Sequence, residues 1–262
     1  MKEILICGNS HVGALKLGFD QLRDRSDKPD KLFESMTIFP FGGGGNEVRS
    51  FSKVSNGELV FTFEGYRRNL TKFTGKRAFD SNPLYGFVLG THASRLYKNP
   101  FWKTAAPSVI ASKDFRPVSN ALIDLMIKAD QEHTIAFLEN AKKVGLNFFV
   151  VSCPLPRRVH PCIERPGRKG VPAETVATLD ARCKQLMSEW CAENDVAFVP
   201  SPKSTIGADG FLIDSYGSTA NRKGSDKPDT HHANAEYGVL MMKKIADHCA
   251  EYLDRPQQRR AV

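Results

Sequence analysis

A serine and a histidine stand side by side at Ser10-His11, just past Gly8, and the segment PDTHHAN at 228–234 brings together Asp229, His231 and His232. A serine hydroxyl attacks a carbonyl well only when a base takes its proton. An imidazole serves best as that base when a carboxylate fixes its tautomer and stabilises its cationic form. Asp229 and His232 have the residue types for carboxylate and base, and Ser10 for the nucleophile. Each also fits a plainer role. Ser10 after a glycine turn suits a helix N-cap, and Asp229 after Pro228, with Asn234 ahead of an apolar run, suits a turn that leads into a helix.

The elements that must position these side chains are legible as apolar runs that end in turns. EILIC (3–7) stops at Gly8-Asn9-Ser10, and Val12, Leu15, Leu17 and Phe19 then give a pattern suited to a buried helix. MTIFPF (36–41) runs into the four glycines Gly42 to Gly45, YGFVLG (85–90) ends at Gly90, and LNFFVVSCPLP (146–156) and VAFVP (196–200) complete the strand candidates. The clearest helix is 119–144, with Ser119 or Asn120 as cap, Leu122, Leu125, Met126, Ile135, Leu138 and Val144 as its apolar face, and Gly145 as its stop. Further helices are expected at 173–194 and 233–253. NGELVFTFEGYRR, after the turn signal Asn56-Gly57, reads as a hairpin inserted between the second and third core strands.

Strands alternating with helices predict an α/β fold: a three-layer α/β/α sandwich on a mainly parallel, flavodoxin-like sheet. One domain over 1–255 is expected, with an insert at about 46–84 and a free tail at 256–262. In such sheets ligands bind at the carboxyl ends of the strands. Ser10, the glycine run, Gly90-Thr91-His92 and Asp229–His232 can therefore meet at one edge.

Taken together, the blocks resemble a known family. Gly8-Asn9-Ser10-His11 after the first strand is similar to the nucleophile block of the SGNH, or GDSL-like, hydrolases, and Asp229-Thr230-His231-His232-Ala233-Asn234 resembles their closing D-x-x-H-P-N block, with Ala233 in place of proline. The stretch from Val151 to Arg157 is similar to the strand and proline loop before their final third. The resemblance implies Ser10 as nucleophile, His232 as general base and Asp229 as its partner. It also implies an oxyanion hole made of the Ser10 amide, an amide of Gly43 or Gly44, and the residue at the third block. That block, usually G-x-N-D, reads Gly90-Thr91-His92-Ala93, so His92 stands where an asparagine is usual. An imidazole N–H donates as an amide does, but it also titrates. Asn46 is a second candidate donor, and His11, Asn46 and Arg157 are candidate substrate contacts.

What the resemblance implies is a serine esterase or deacylase acting through an acyl-enzyme on an O-acylated carbohydrate or another small ester, with no cofactor. Acyl transfer to a sugar, or a carbohydrate-binding protein that has lost activity, would use the same fold.

Composition bounds the rest. The six cysteines have neither C-x-x-C nor zinc-like spacing, so they read as reduced, mostly buried thiols, and no metal is expected. The net charge of +8 invites a nucleic-acid reading, but Arg67-Arg68, Arg157-Arg158 and Arg259-Arg260 lie far apart, which suits a solvated basic surface better. Arg157 and Arg158 are open to either role, an anionic substrate group or loop solvation. MKEILI at the start fits neither a signal peptide nor a membrane span, so a cytoplasmic location is expected.

Overall fold

Five parallel strands form the central sheet of the computed structural model, which describes residues 3–24, 31–221 and 226–254. In chain order they are β1 (Ile4–Gly8), β2 (Met36–Pro40), β3 (Leu84–Val88), β4 (Asn147–Val151) and β5 (Ala197–Val199). Their spatial order is β2-β1-β3-β4-β5, and all adjacent pairs are parallel. This is the flavodoxin-like order, whose winding reverses between β1 and β3 and opens a crevice beyond their carboxyl ends. Ser10 and His92 follow those two strands.

Among the described residues, five helices longer than one turn accompany the strands: α1 (Val12–Asp24), α2 (Glu64–Thr74), α3 (Asn120–Lys143), α4 (Ala173–Glu193) and α5 (Ala235–Asp254). On one face Ile4 and Ile6 pack with Leu15 and Phe19 of α1 and Met242 and Ile245 of α5. On the other, Leu5 and Cys7 pack with Tyr66 and Leu70 of α2, Phe137 and Leu138 of α3 and Met187 of α4. Both faces of β1 are covered, which is why its sequence is a continuous apolar run rather than an alternating one. The α1–α5 contact is closer than side chains would permit. A Cβ on Gly238 would collide with the Ala14 carbonyl, and one on Gly18 with the backbone of Gly238 and Val239.

Two regions differ from expectation. The hairpin forms at the Asn-Gly signal, with Asn56 (φ 52°) and Gly57 (φ 79°) both left-handed between antiparallel strands Ser52–Ser55 and Glu58–Phe61. The chain beyond it is not strand but α2, because Tyr66 and Leu70, four apart, share one buried face. Ala78–Phe79 then adds a third strand to the hairpin. The insert is part of the core: its Phe51, Phe61 and Phe79 cluster with Phe41, Phe87 and Phe137.

The second difference is the phase of α3. The helix starts as expected, with Ser119 Oγ accepting from the Leu122 amide at 3.3 Å, but its buried stripe runs through Ile123, Ile127, Thr134, Phe137, Leu138 and Ala141. Leu122 and Leu125 fall on the other side of a 3.6-residue period and are 47% and 64% exposed. Finally, the tail expected at 256–262 lies outside the described residues. Among the described residues no helix is long and apolar enough to cross a membrane.

Candidate active site

The turn after β1 is pinned to both neighbouring strands. Asn9 N donates to Val88 O at 3.1 Å, and Phe41 N donates to Gly8 O at 2.6 Å. Only glycine fits at position 8, since a Cβ there would strike the Val88 carbonyl. The side-chain turn that opens α1 is made by Asn9, whose Oδ1 accepts from the His11 amide at 3.1 Å. Ser10 is exposed and does something else: its Oγ lies 2.9 Å from His232 Nε2.

His232 is presented by a loop that its own backbone organises. His232 Nδ1 is 2.8 Å from Asp229 Oδ2, while the amides of His231 and His232 donate to Asp229 Oδ1 at 2.9 and 3.2 Å. Burial pushes the Asp229 carboxyl up, but these donors outweigh it and leave it below its usual value. An anionic Asp229 favours the tautomer with the proton on Nδ1, which leaves Nε2 free to accept from Ser10. The loop is tied down by Ser218 N donating to His232 O and Asp229 N to Ala220 O, both at 2.9 Å. Asn234 then turns the chain into α5, its Oδ1 accepting from the Tyr237 amide at 3.1 Å.

Arg157, a candidate substrate contact, belongs to this scaffold instead. It is 9% exposed, and its Nη1 donates to Ser218 O at 2.7 Å and Asp229 O at 2.6 Å. Its guanidinium fills the space that a Cβ on Gly217 would need, so the charge clamps the loop behind the carboxylate and does not line the cavity. Arg158 pairs with Asp209 at 2.8 Å.

Ser10 opens on a cavity of about 250 Å³ whose other walls are Asn9, His11, Gly44, Gly45, Glu47, His92, Ser94, Arg95, Lys98 and His231. Of the two expected glycines, Gly44 lines it. Gly43 is turned to accept from the Tyr66 hydroxyl at 2.8 Å. Asn46 is also outside the lining, with its Oδ1 3.5 Å from Arg49 Nη2.

His11 and His92 face each other with ring centroids 4.4 Å apart, and His11 stands 5.1 Å from His232. Burial, and then the charges of neighbouring histidines and of Lys184 and Lys98, hold both rings well below the usual histidine pKa. They are neutral near pH 7, so His92 keeps an N–H to donate without carrying a charge. Its place is fixed by two anchors on the preceding residue: Thr91 Oγ1 accepts from Cys153 N at 2.7 Å, and Thr91 O accepts from Lys184 Nζ at 3.0 Å.

Sequence reasoning missed the charged wall behind the glycines. Arg95 donates from Nε to Asp130 Oδ1 at 2.8 Å and from Nη1 to Gly44 O at 3.1 Å, and lies 3.7 Å from Glu47. Glu47 is buried, and burial pushes its carboxyl up to about 7 against the opposing pull of Arg95 and of a hydrogen bond from Asn9. Nothing local marks these residues, because Arg95 and Asp130 come from separate elements. His160 stacks on His231 at 4.9 Å, and His231 Nε2 lies 3.0 Å from Lys98 Nζ. Among the described residues no group of three or more His, Cys, Asp or Glu side chains is arranged to hold a metal ion.

No family model matches the chain, and no curated protein matches it. Among solved structures, it is similar to a GDSL-like lipase from Bacteroides thetaiotaomicron, at 13% identity over 96% of this chain and 89% of that one, with a TM-score of 0.47. It is similar to a carbohydrate acetylesterase from Sinorhizobium meliloti, at 16% identity over 96% and 100% of the two chains, with a TM-score of 0.43. A third likeness is to the aryl esterase of M. smegmatis, at 14% identity over 96% and 99%, with a TM-score of 0.41.

Proposed function

We propose that this chain is a serine esterase that works through an acyl-enzyme. The observation that carries the reading is the continuous line from Ser10 Oγ through His232 to Asp229, with links of 2.9 and 2.8 Å. These are the separations at which a proton passes between nucleophile and base while a carboxylate holds the base in register. His232 Nε2 takes the Ser10 proton as Oγ attacks the ester carbonyl, and Asp229 stabilises the imidazolium so formed. The Ser10 and Gly44 amides and the neutral His92 ring supply the donors for the tetrahedral oxyanion; a single such donor is typically worth about 10²–10³ in rate. His232 then gives its proton to the departing alcohol. In the second half, His232 deprotonates a water that attacks the acyl-enzyme, and Ser10 is regenerated as the acid leaves.

The cavity's small volume and polar walls favour a short acyl group such as acetyl, with the alcohol, a sugar among the candidates, lying toward the exposed side of Ser10. A fluorophosphonate probe should label the protein at Ser10, and turnover of p-nitrophenyl acetate should vanish in Ser10→Ala. Labelling that survives that substitution, or esterase activity unchanged in His232→Ala, would overturn the reading.

A further inference from the structure

The cavity beside Ser10 is cationic and donor-rich. Lys98, at the end of the short helix Ser94–Tyr97, is exposed and lines it, with Nζ 3.0 Å from His231 Nε2. Its charge reaches inward, since it is one of the groups that depress both His11 and His92. Three described carboxylates around the site have their own partners. Glu47 is buried against Asn9 and Arg95, Asp130 holds Arg95, and Asp229 receives its three hydrogen bonds from His231 and His232. Among the described residues that line the cavity, one buried side-chain donor or acceptor has no partner: His11 Nδ1, on a residue 5% exposed. A buried ring nitrogen without a partner costs free energy that a bound ligand recovers.

We propose that the ester taken by this site has an acidic alcohol: its leaving group carries a carboxylate, which Lys98 holds at the rim while the acyl group enters the cavity and His11 Nδ1 hydrogen-bonds the substrate from within. A carboxylated sugar is one such alcohol. The inference rests on the serine esterase reading and names the substrate class for the same site. Lys98 is the group suited to it by position, because the rim faces the alcohol and the interior faces the acyl group.

The test uses a matched pair of acetyl esters, 4-acetoxybenzoate and its methyl ester, each rate being normalised to spontaneous hydrolysis. At low salt the charged ester should show a roughly tenfold higher kcat/KM, the gain expected when one hydrogen bond becomes charge-assisted, and 0.5 M salt should erode the preference. Lys98→Met should lower kcat/KM for the charged ester roughly tenfold more than for the methyl ester, and Lys98→Arg should keep most of the preference. Equal rates for the two esters at low salt, or equal losses in Lys98→Met, would overturn the inference. Binding of the same pair to the Ser10→Ala protein, measured by calorimetry, judges it without turnover: the charged ester should bind tighter, and equal affinities refute it. Hydrolysis by Ser10→Ala at the wild-type rate would instead overturn the serine esterase reading and leave the binding comparison to decide the carboxylate.

Discussion

Asp229 and Glu47 serve the two walls of the site, and their surroundings drive them in opposite directions. Burial raises both, yet Asp229 ends below its usual value while Glu47 rises to about 7. The difference lies in who supplies the donors. Asp229 is met by two amides and an imidazole from residues no more than three positions away, whereas Glu47 depends on Asn9 and on a guanidinium 3.7 Å off. Hydrogen bonds built into the local turn outweigh desolvation; a distant charge does not. One wall therefore keeps a charge at the proposed base, and the other uses charges to hold shape.

Substitutions on the two walls should register in different measurements. The largest effect belongs to Ser10→Ala and His232→Ala, each expected to lower kcat by on the order of 10⁴–10⁶ with little change in the unfolding midpoint; a loss below about 100-fold would break the comparison. Next comes Asp229→Asn, which exchanges an acceptor for a donor at Nδ1 and favours the wrong tautomer, for an expected loss of roughly 10³–10⁴ in kcat. Across the cavity, Arg95→Met should act first on stability. It leaves Glu47 and Asp130 without their cation, at a cost of roughly 3 kcal/mol in urea unfolding, and a normal unfolding free energy would show that the network carries no load.

The effect of pH is the most diagnostic. Because the folded state raises the Glu47 pKa from 4.5 to about 7, the native protein holds a proton there that the unfolded chain releases across that window. The Glu47 contribution to stability is therefore greatest below about pH 4.5 and declines as pH rises to about 7, by up to on the order of 3 kcal/mol. Asp229 has the opposite sign, its contribution being lost as pH falls through the carboxylate range. Glu47→Gln should flatten the decline between pH 5 and pH 8, and urea unfolding at those two pH values that shows the same slope in wild type and variant would refute it.

The same division explains what could be read from the sequence. Ser10, Asp229 and His232 stand out because each lies in a short block whose local geometry is set by its immediate neighbours, and the strands stand out because burial on both faces leaves an apolar run. Glu47 and Arg95 are invisible in that way, since their meaning comes from Asp130 and Gly44, which reach them only through the tertiary fold. Arg157 shows the converse: its position after β4 suggests a substrate contact, but only the folded loop reveals two carbonyls waiting for its guanidinium. The hairpin was marked by Asn56-Gly57, whereas α2 was hidden because a short amphipathic stretch satisfies a strand period and a helix period about equally well.

The glycine crossing of α1 and α5 has a consequence for how this protein comes into being. Ser10 sits just ahead of one helix and His232 just ahead of the other, so the proposed nucleophile and base are joined through a contact between segments more than 200 residues apart in the chain. A partly synthesised chain that ends before Asp229 lacks the proposed base and its partner, α5 docks on α1 only after them, and long-range closures of this kind are slow to form. Catalytic turnover during refolding would therefore report the docking of α5 on α1 rather than the earlier assembly of the sheet, and a bulkier residue at Gly238 should delay the return of activity more than the return of helical signal.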